Sequence, residues 1–281
     1  MIEVNDEALK AINRSFVIPP RPEILTQLKD VMSGDDPSLM DISDIISKDM
    51  AISAAILKLI NSPVFGLART VSDIRQAVMF LGFDGIYSLV QGLKLKEAFS
   101  SSKCSINLNQ FWDAAEEIAQ VALFIGGKIK SEVPGENLYT LGLFHDCGIP
   151  IMATKYENYA DVYANSAQNF QETLVSLEDR AFKTNHATLG YFIASNWFLP
   201  KDICQIILRH HEKDFLNNGE GSVDQLSYAA LKMAENMVHE ERRFSPSPEW
   251  HYLKESVLDM LGFTDDDYND MKEDLADSVF S

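Results

Sequence analysis

The chain has 281 residues, 46% of them hydrophobic and 23% charged, with 42 acidic side chains against 24 basic ones and a net charge of −18. That length suits one large globular domain or two small ones. The acidity argues against a general binder of nucleic acid or anionic membrane, because attraction to phosphate needs clustered Lys and Arg.

Three cysteines, Cys104, Cys147 and Cys204, are too few and too widely spaced for a disulfide framework or a CxxC metal knuckle. A reducing compartment is therefore expected. The opening MIEVNDEALKAINRSFVIPP is acidic, with no apolar core of a signal peptide, and no uninterrupted run is long enough to cross a membrane. The expected setting is the cytoplasm.

Hydrophobic spacing is helical nearly throughout. Ile42, Ile45 and Ile46 recur at three and four residues, as do Ile52, Ala55, Ile56, Leu59 and Ile60. Asp36-Pro37 and Asp41 can open the first of these helices, Asp49 can cap the second, and Asn61-Ser62-Pro63 ends it. Ser72 is placed to cap a helix through Ala77, Val78 and Leu81 that Gly82 would stop. A longer helix is predicted from Asn109 to Lys130, another from Leu138 to Thr154, then shorter ones over 155–167, 171–183, 186–198 and 200–211. The polar stretch 212–225 reads as a loop, followed by helices over 225–240, 249–261 and 265–279. No convincing alternating strand is present, so the fold class is all-α. The acidic end TDDDYNDMKEDLAD fits a solvated helix face or a docking tail.

The histidines carry the chemistry. Four of the six fall as His145 beside Asp146, then His186, then His210 with His211. A His-Asp pair offers one nitrogen and one oxygen, a donor set suited to Zn, Fe or Mn. A bridging carboxylate with several imidazoles could hold two ions and acidify a bound water for phosphoester hydrolysis. The small Gly142 and Gly148 flanking GLFHDCG would let helices pack closely and turn the polar pair inward. Each piece also has a plainer reading. His145 and Asp146 can be a hydrogen-bonded buried pair, and His186 a first-turn residue beside its cap. On a continuous helix His210 and His211 would point about 100° apart, so that at most one looks inward. His239 and His251 have no supporting pattern and read as surface, while Cys147 and Cys204 read as core. Of the basic residues, Lys128, Lys130, Arg180, Lys183, Arg209 and Lys213 stand nearest these motifs, but they are scattered and no Gly-rich phosphate cradle accompanies them.

Residues 15–240 resemble the HDOD domain, an output module related to HD-type metal-dependent phosphohydrolases. The first half is carried by FVIPPRPEILTQL, DISDIISKDMAISAAILKLINSPVFGL and VSDIRQAVMFLGFDGI. The second half is carried by FWDAAEEIA, LYTLGLFHDCG, NHATLGYFIASNWFLPKDICQIILRHHE and LKMAENM. The resemblance implies an HD-like multi-helical bundle. Residues 1–105 would form its N-terminal helical half, 106–240 the HD-like half, and 241–281 an acidic C-terminal helical extension.

Carried onto this sequence, the metal positions of catalytic relatives fall on His145, Asp146, His186, His210, His211 and Glu235. The set is partial or vestigial. Ala114 stands where the family's first His belongs, Glu235 replaces an Asp, Ile149 stands where cyclic-dinucleotide hydrolases carry Lys, and HHE continues as KDFLNN instead of into a GYP phrase. Glu116 or Glu117 could lend an oxygen from the helix of Ala114. No catalytic residue is assigned, and no cofactor is expected beyond a divalent Fe, Mn or Zn ion at this partial site. The reading is a bacterial signal-transduction module acting in trans by protein or small-ligand binding. Its expected partner is a signalling protein, with neither nucleic acid nor membrane. The alternative is a metal-dependent phosphohydrolase acting on a nucleotide or phosphoester. A third possibility is a remnant used only for assembly.

Overall fold

The computed structural model describes residues 15–99, 103–130, 133–167, 169–217 and 221–280. Residues 1–14 of the expected N-terminal half and 218–220 of the expected loop lie outside the described residues. Among the described residues there are helices and turns but no strand, as the periodicity predicts.

The first helices are α1 (Glu23–Met32), α2 (Leu39–Ser47) and α3 (Met50–Ile60), followed by a 3-10 turn at Pro63–Phe65. Asp49 caps α3 as expected, its Oδ1 accepting from the backbone N–H groups of Ala51 and Ile52 at 3.0 Å each. The start of α2 differs: Ser38 is the cap, and Asp41 sits in the first turn. Helix α4 (Ile74–Phe99) differs more. Asp73, not Ser72, accepts from the N–H of Gln76, and Gly82 kinks the helix instead of ending it. At φ 67° and ψ −169°, Gly82 takes a conformation that side chains disfavour, and the chain re-enters the helix beyond it. The second segment of α4 is largely buried, and the helix packs on α1, α2, α3 and α6.

There follow α5 (Leu108–Gly126), α6 (Gly135–Phe144), α7 (Ile149–Lys155), α8 (Tyr159–Ser166), α9 (Leu174–Phe182), α10 (His186–Asn196), α11 (Lys201–Arg209) and α12 (Val223–Arg243). The single helix predicted over 138–154 is thus two helices, α6 and α7, broken by the turn that carries His145 and Asp146. Pro150, which lacks an N–H, sits in the first turn of α7, where none is needed. Helix α12 packs on α5, α6, α11 and α13 (Trp250–Leu261), and α14 (Asp265–Ser278) closes the chain. In α14, Tyr268, Met271 and Leu275 are buried while the acidic residues described face outward, which is the solvated-face pattern.

Two latches tie Trp197, which caps the end of α10, to the entry segment and to α4. The Trp197 indole donates to the Pro19 carbonyl at 3.0 Å, and the Gln91 amide donates to the Trp197 carbonyl at 3.1 Å. The buried hydrophobic side chains form one continuous cluster running from Leu25 to Leu275. No described helix is long and apolar enough to cross a membrane.

Candidate metal centre

The cluster is assembled at helix ends. His145 is the last residue of α6's final turn, and Asp146 begins the turn into α7. His186 opens α10 behind its cap Asn185, whose side chain accepts from Thr188 N–H at 2.8 Å. His210 terminates α11, His211 follows it, and Glu235 lies midway along α12.

Close packing brings these ends together. A β-carbon on Gly142 would stand 2.5 Å from the Ala119 α-carbon, which sets α6 directly against α5. The turn containing Gly148 similarly lies against the first residue of α10, so Asp146 faces His186. Both glycines act as their place in GLFHDCG predicts.

Asp146 is the hub. Its Oδ1 lies 3.2 Å from His186 Nε2 and 3.3 Å from His210 Nε2, yet makes no hydrogen bond of good geometry. His211 Nε2 is 3.1 Å from His186 Nε2. One donor atom from each of Asp146, His186, His210 and His211 falls within 4.8 Å of the others. On the other side of the hub, His145 Nε2 is 3.4 Å from Asp146 Oδ2 and 3.3 Å from Glu235 Oε1. All six predicted residues therefore meet. His210 and His211 both turn inward, contrary to the one-inward expectation: His210 is the cap at the end of α11, and the two ring centroids lie 4.0 Å apart.

The outer side of every ring is tied down. Nδ1 of His145 and of His210 each lies 2.7 Å from a main-chain carbonyl, of Gly142 and Ile207 respectively. A carbonyl only accepts, so both Nδ1 atoms carry the hydrogen; when these rings are neutral, the Nε2 lone pairs face the centre. His186 Nδ1 donates to Glu178 Oε2 and His211 Nδ1 to Glu249 Oε1, each at 2.7 Å. This is the outer-shell pattern that orients imidazoles for a metal.

Charge around the hub is unbalanced. Asp146, Glu178, Glu235 and Glu249 are set against a single ammonium, that of Lys232, which is 3% exposed. Burial opposes a charged ring at His186, but the Glu178 and Asp146 carboxylates outweigh it and hold its pKa at about 10. Burial likewise opposes charge on His145, whose pKa is nonetheless raised by Asp146 and Glu235. Burial and the neighbouring His211 push His210 well below the ordinary histidine value. Despite its own burial, the Asp146 carboxyl is held well below its usual range by the imidazoles around it. A buried carboxylate oxygen without a well-directed hydrogen bond, beside three inward ring nitrogens, fits a divalent cation with nitrogen and oxygen ligands, which would take the place of the proton that Asp146 and Glu178 hold on His186.

Sequence reasoning missed several participants. Glu178 is fully buried, accepting from the Tyr159 hydroxyl at 2.5 Å and from the His186 N–H at 2.9 Å. Glu249 comes from the C-terminal extension, and Lys232 from α12. Lys232 had a readable signal: with Glu235 it forms a charged i, i+3 pair inside the run 228–238, which is otherwise apolar except for Asn236. Glu178 had none, since its neighbours Asp179 and Arg180 make it look like surface. Glu116 and Glu117 lend nothing to the cluster; they pair with Lys96 and Arg242.

A cleft of about 690 Å³ opens onto His145, Asp146, His211, Lys232, Glu235 and Glu249. Ala114 lines it, as the family register predicts. So does His239, which is half-buried and not the surface residue expected, while His251 is exposed. Of the basic residues noted in the sequence only Lys213 borders the cleft, where Arg242 and Arg243 join it.

The helical architecture is that of an all-α, HD-like bundle. The chain belongs to the HDOD domain family, whose sequence pattern matches residues 18–213. Its fold is similar to that of an HDOD domain protein of unknown function from Geobacter sulfurreducens. The TM-score is 0.69 at 22% identity, over 97% of this chain and 93% of that one. It is also similar to a protein of Shewanella amazonensis SB2B that carries the provisional name metal-dependent phosphohydrolase. There the TM-score is 0.64 at 20% identity, over 95% and 96% of the two chains. At these identities the likeness is one of fold. In sequence the chain resembles an uncharacterized protein of Treponema pallidum (strain Nichols), 26% identical over 200 residues. The match covers 69% of this chain but 37% of that relative, so the chain spans little more than a third of its length.

Proposed function

We propose that this HDOD chain is a cytoplasmic signalling module that holds a divalent metal ion at Asp146, His186, His210 and His211. It would act by binding a partner or small ligand at the cleft in front of that ion, not by turning a substrate over. The observation that carries the reading is the buried Asp146 Oδ1, which lacks a hydrogen bond of good geometry and is faced by imidazole nitrogens whose outer sides are anchored. Bound there, the ion would supply Lewis acidity and a positive anchor for an anionic group. His145 and Glu235 form the second face of the hub. Lys213 and Arg243 at the rim supply positive charge for a phosphorylated ligand on so acidic a chain, whereas Arg242 is held by Glu117.

The non-catalytic part rests on Ala114, which removes an imidazole from the cleft wall, and on the Lys232 ammonium fixed between Glu235 and Glu249. A second reading, phosphoester hydrolysis, is favoured by the cleft's opening directly on Asp146. Elemental analysis of tag-free protein purified without chelator, beside a His186→Ala variant, tests the metal. Bound Fe, Mn or Zn near one equivalent, lost in the variant, is the expected result; metal far below one equivalent in both proteins sinks the reading. Turnover of bis(p-nitrophenyl) phosphate by loaded protein, abolished by His145→Ala, would move the assignment to the second reading.

A further inference from the structure

We propose that Lys232 is a built-in cation that limits this centre to one metal ion. The inference rests on the metal reading above and concerns how many ions the centre takes.

Asp146 presents its two oxygens to two donor sets. Oδ1 faces His186 and His210, with His211 beside them, whereas Oδ2 faces His145, which also lies against Glu235 Oε1. The second set, one imidazole and two carboxylates, has the chemistry of a second cation site. Its Glu235 is already engaged: Lys232 Nζ lies 2.8 Å from Glu235 Oε2 and 2.8 Å from Glu249 Oε2. The ammonium is shielded from solvent and held at two points, so water neither screens nor replaces it.

Three consequences follow from that placement. The charge on Glu235 that would attract a second dication is neutralised from within the chain. A dication sharing the Glu235 carboxylate would face the fixed ammonium across a single carboxyl group, where low local dielectric strengthens repulsion. The same ammonium holds Glu249, which anchors His211 through its Nδ1, so the residue that closes the second set also orders the first. Lys232 acts through Glu235 and Glu249 and is a positioning residue, not a catalytic one.

The test counts ions without reference to activity. Metal-stripped full-length protein is dialysed to equilibrium against Mn²⁺ alone, and bound metal per chain is measured for the wild type, Lys232→Arg, Lys232→Gln and Lys232→Met. Circular dichroism confirms that each variant is helical. Gln is neutral and still donates to either carboxylate, so it protects against loss of fold on removing the charge. The expected counts are one for the wild type and Lys232→Arg, and two for folded Lys232→Gln or Lys232→Met. Two ions in the wild type, or one in both folded neutral variants, overturns the role of Lys232 while leaving the metal reading standing. No ion in the wild type overturns the metal reading and this inference with it.

Discussion

Gly148 lies with its α-carbon against the main-chain carbonyl of His186: a β-carbon there would stand 2.0 Å from that oxygen and 2.9 Å from the Gly190 nitrogen. Both obstacles are backbone, so neither can swing aside as a side chain would. Gly148→Ala is therefore expected to push α10 away from the His145–Asp146 turn, at a stability cost of about 1–3 kcal/mol. Urea denaturation checks the stability, and metal titration should show His186 withdrawn from the centre. A variant as stable as the wild type with unchanged metal affinity would show that the contact does not matter.

Glu178 orients His186 from behind. Glu178→Gln keeps the shape but leaves one amide oxygen to serve what two carboxylate oxygens now accept: the Tyr159 hydroxyl and two His186 nitrogens. Loss of such an outer partner is expected to weaken metal binding by roughly 10–100-fold. Competition against a chelator of known affinity measures this. Tyr159→Phe removes only the tyrosine's hydrogen bond and should have the smaller effect.

Metal should stabilise the folded chain by mass action. At a free ion concentration 100 times Kd the gain is about 2.7 kcal/mol, which for a chain of this size raises Tm by roughly 5–10 °C. Excess chelator should reverse the shift, and His186→Ala should show none. An equal shift in that variant would place the ion elsewhere.

Asp49 ties acid stability to a helix cap. Its carboxyl pKa is lowered below 3.8, chiefly by the hydrogen bond from Ile52 N–H, with burial opposing and Lys94 assisting. A carboxyl depressed in the folded state contributes stability that is present above its unfolded value and is lost as pH falls through the folded one. Asp49→Ala should therefore cost about 1 kcal/mol near neutrality. That difference should shrink steadily as pH drops below 3.8. Urea midpoints at several pH values decide it; a pH-independent difference would mean that the charge contributes nothing.

Much of this architecture is legible in the sequence, for reasons that particular residues show. Apolar spacing and short-range caps are local properties, so α3 behind Asp49 could be read directly. The break between α6 and α7 is signalled by Gly148 and Pro150, but the apolar residues on either side of His145 and Asp146 read as one helix. The family register gathered six site residues, and all six meet. What it could not provide was the buried scaffold. Glu178 reaches His186 only because α9 folds back on α10, and Glu249 reaches His211 from a segment beyond the family match. Such contacts are products of tertiary packing and leave no periodic trace in the chain.

The Trp197 latch and the metal centre share a helix. Pro19 is held by the indole of the residue that caps the end of α10, and His186 is the first residue of that helix. The group that seats the entry segment and the ring that faces the Asp146 carboxylate thus hang from the two ends of one element, so docking the first and placing the second belong to a single packing event.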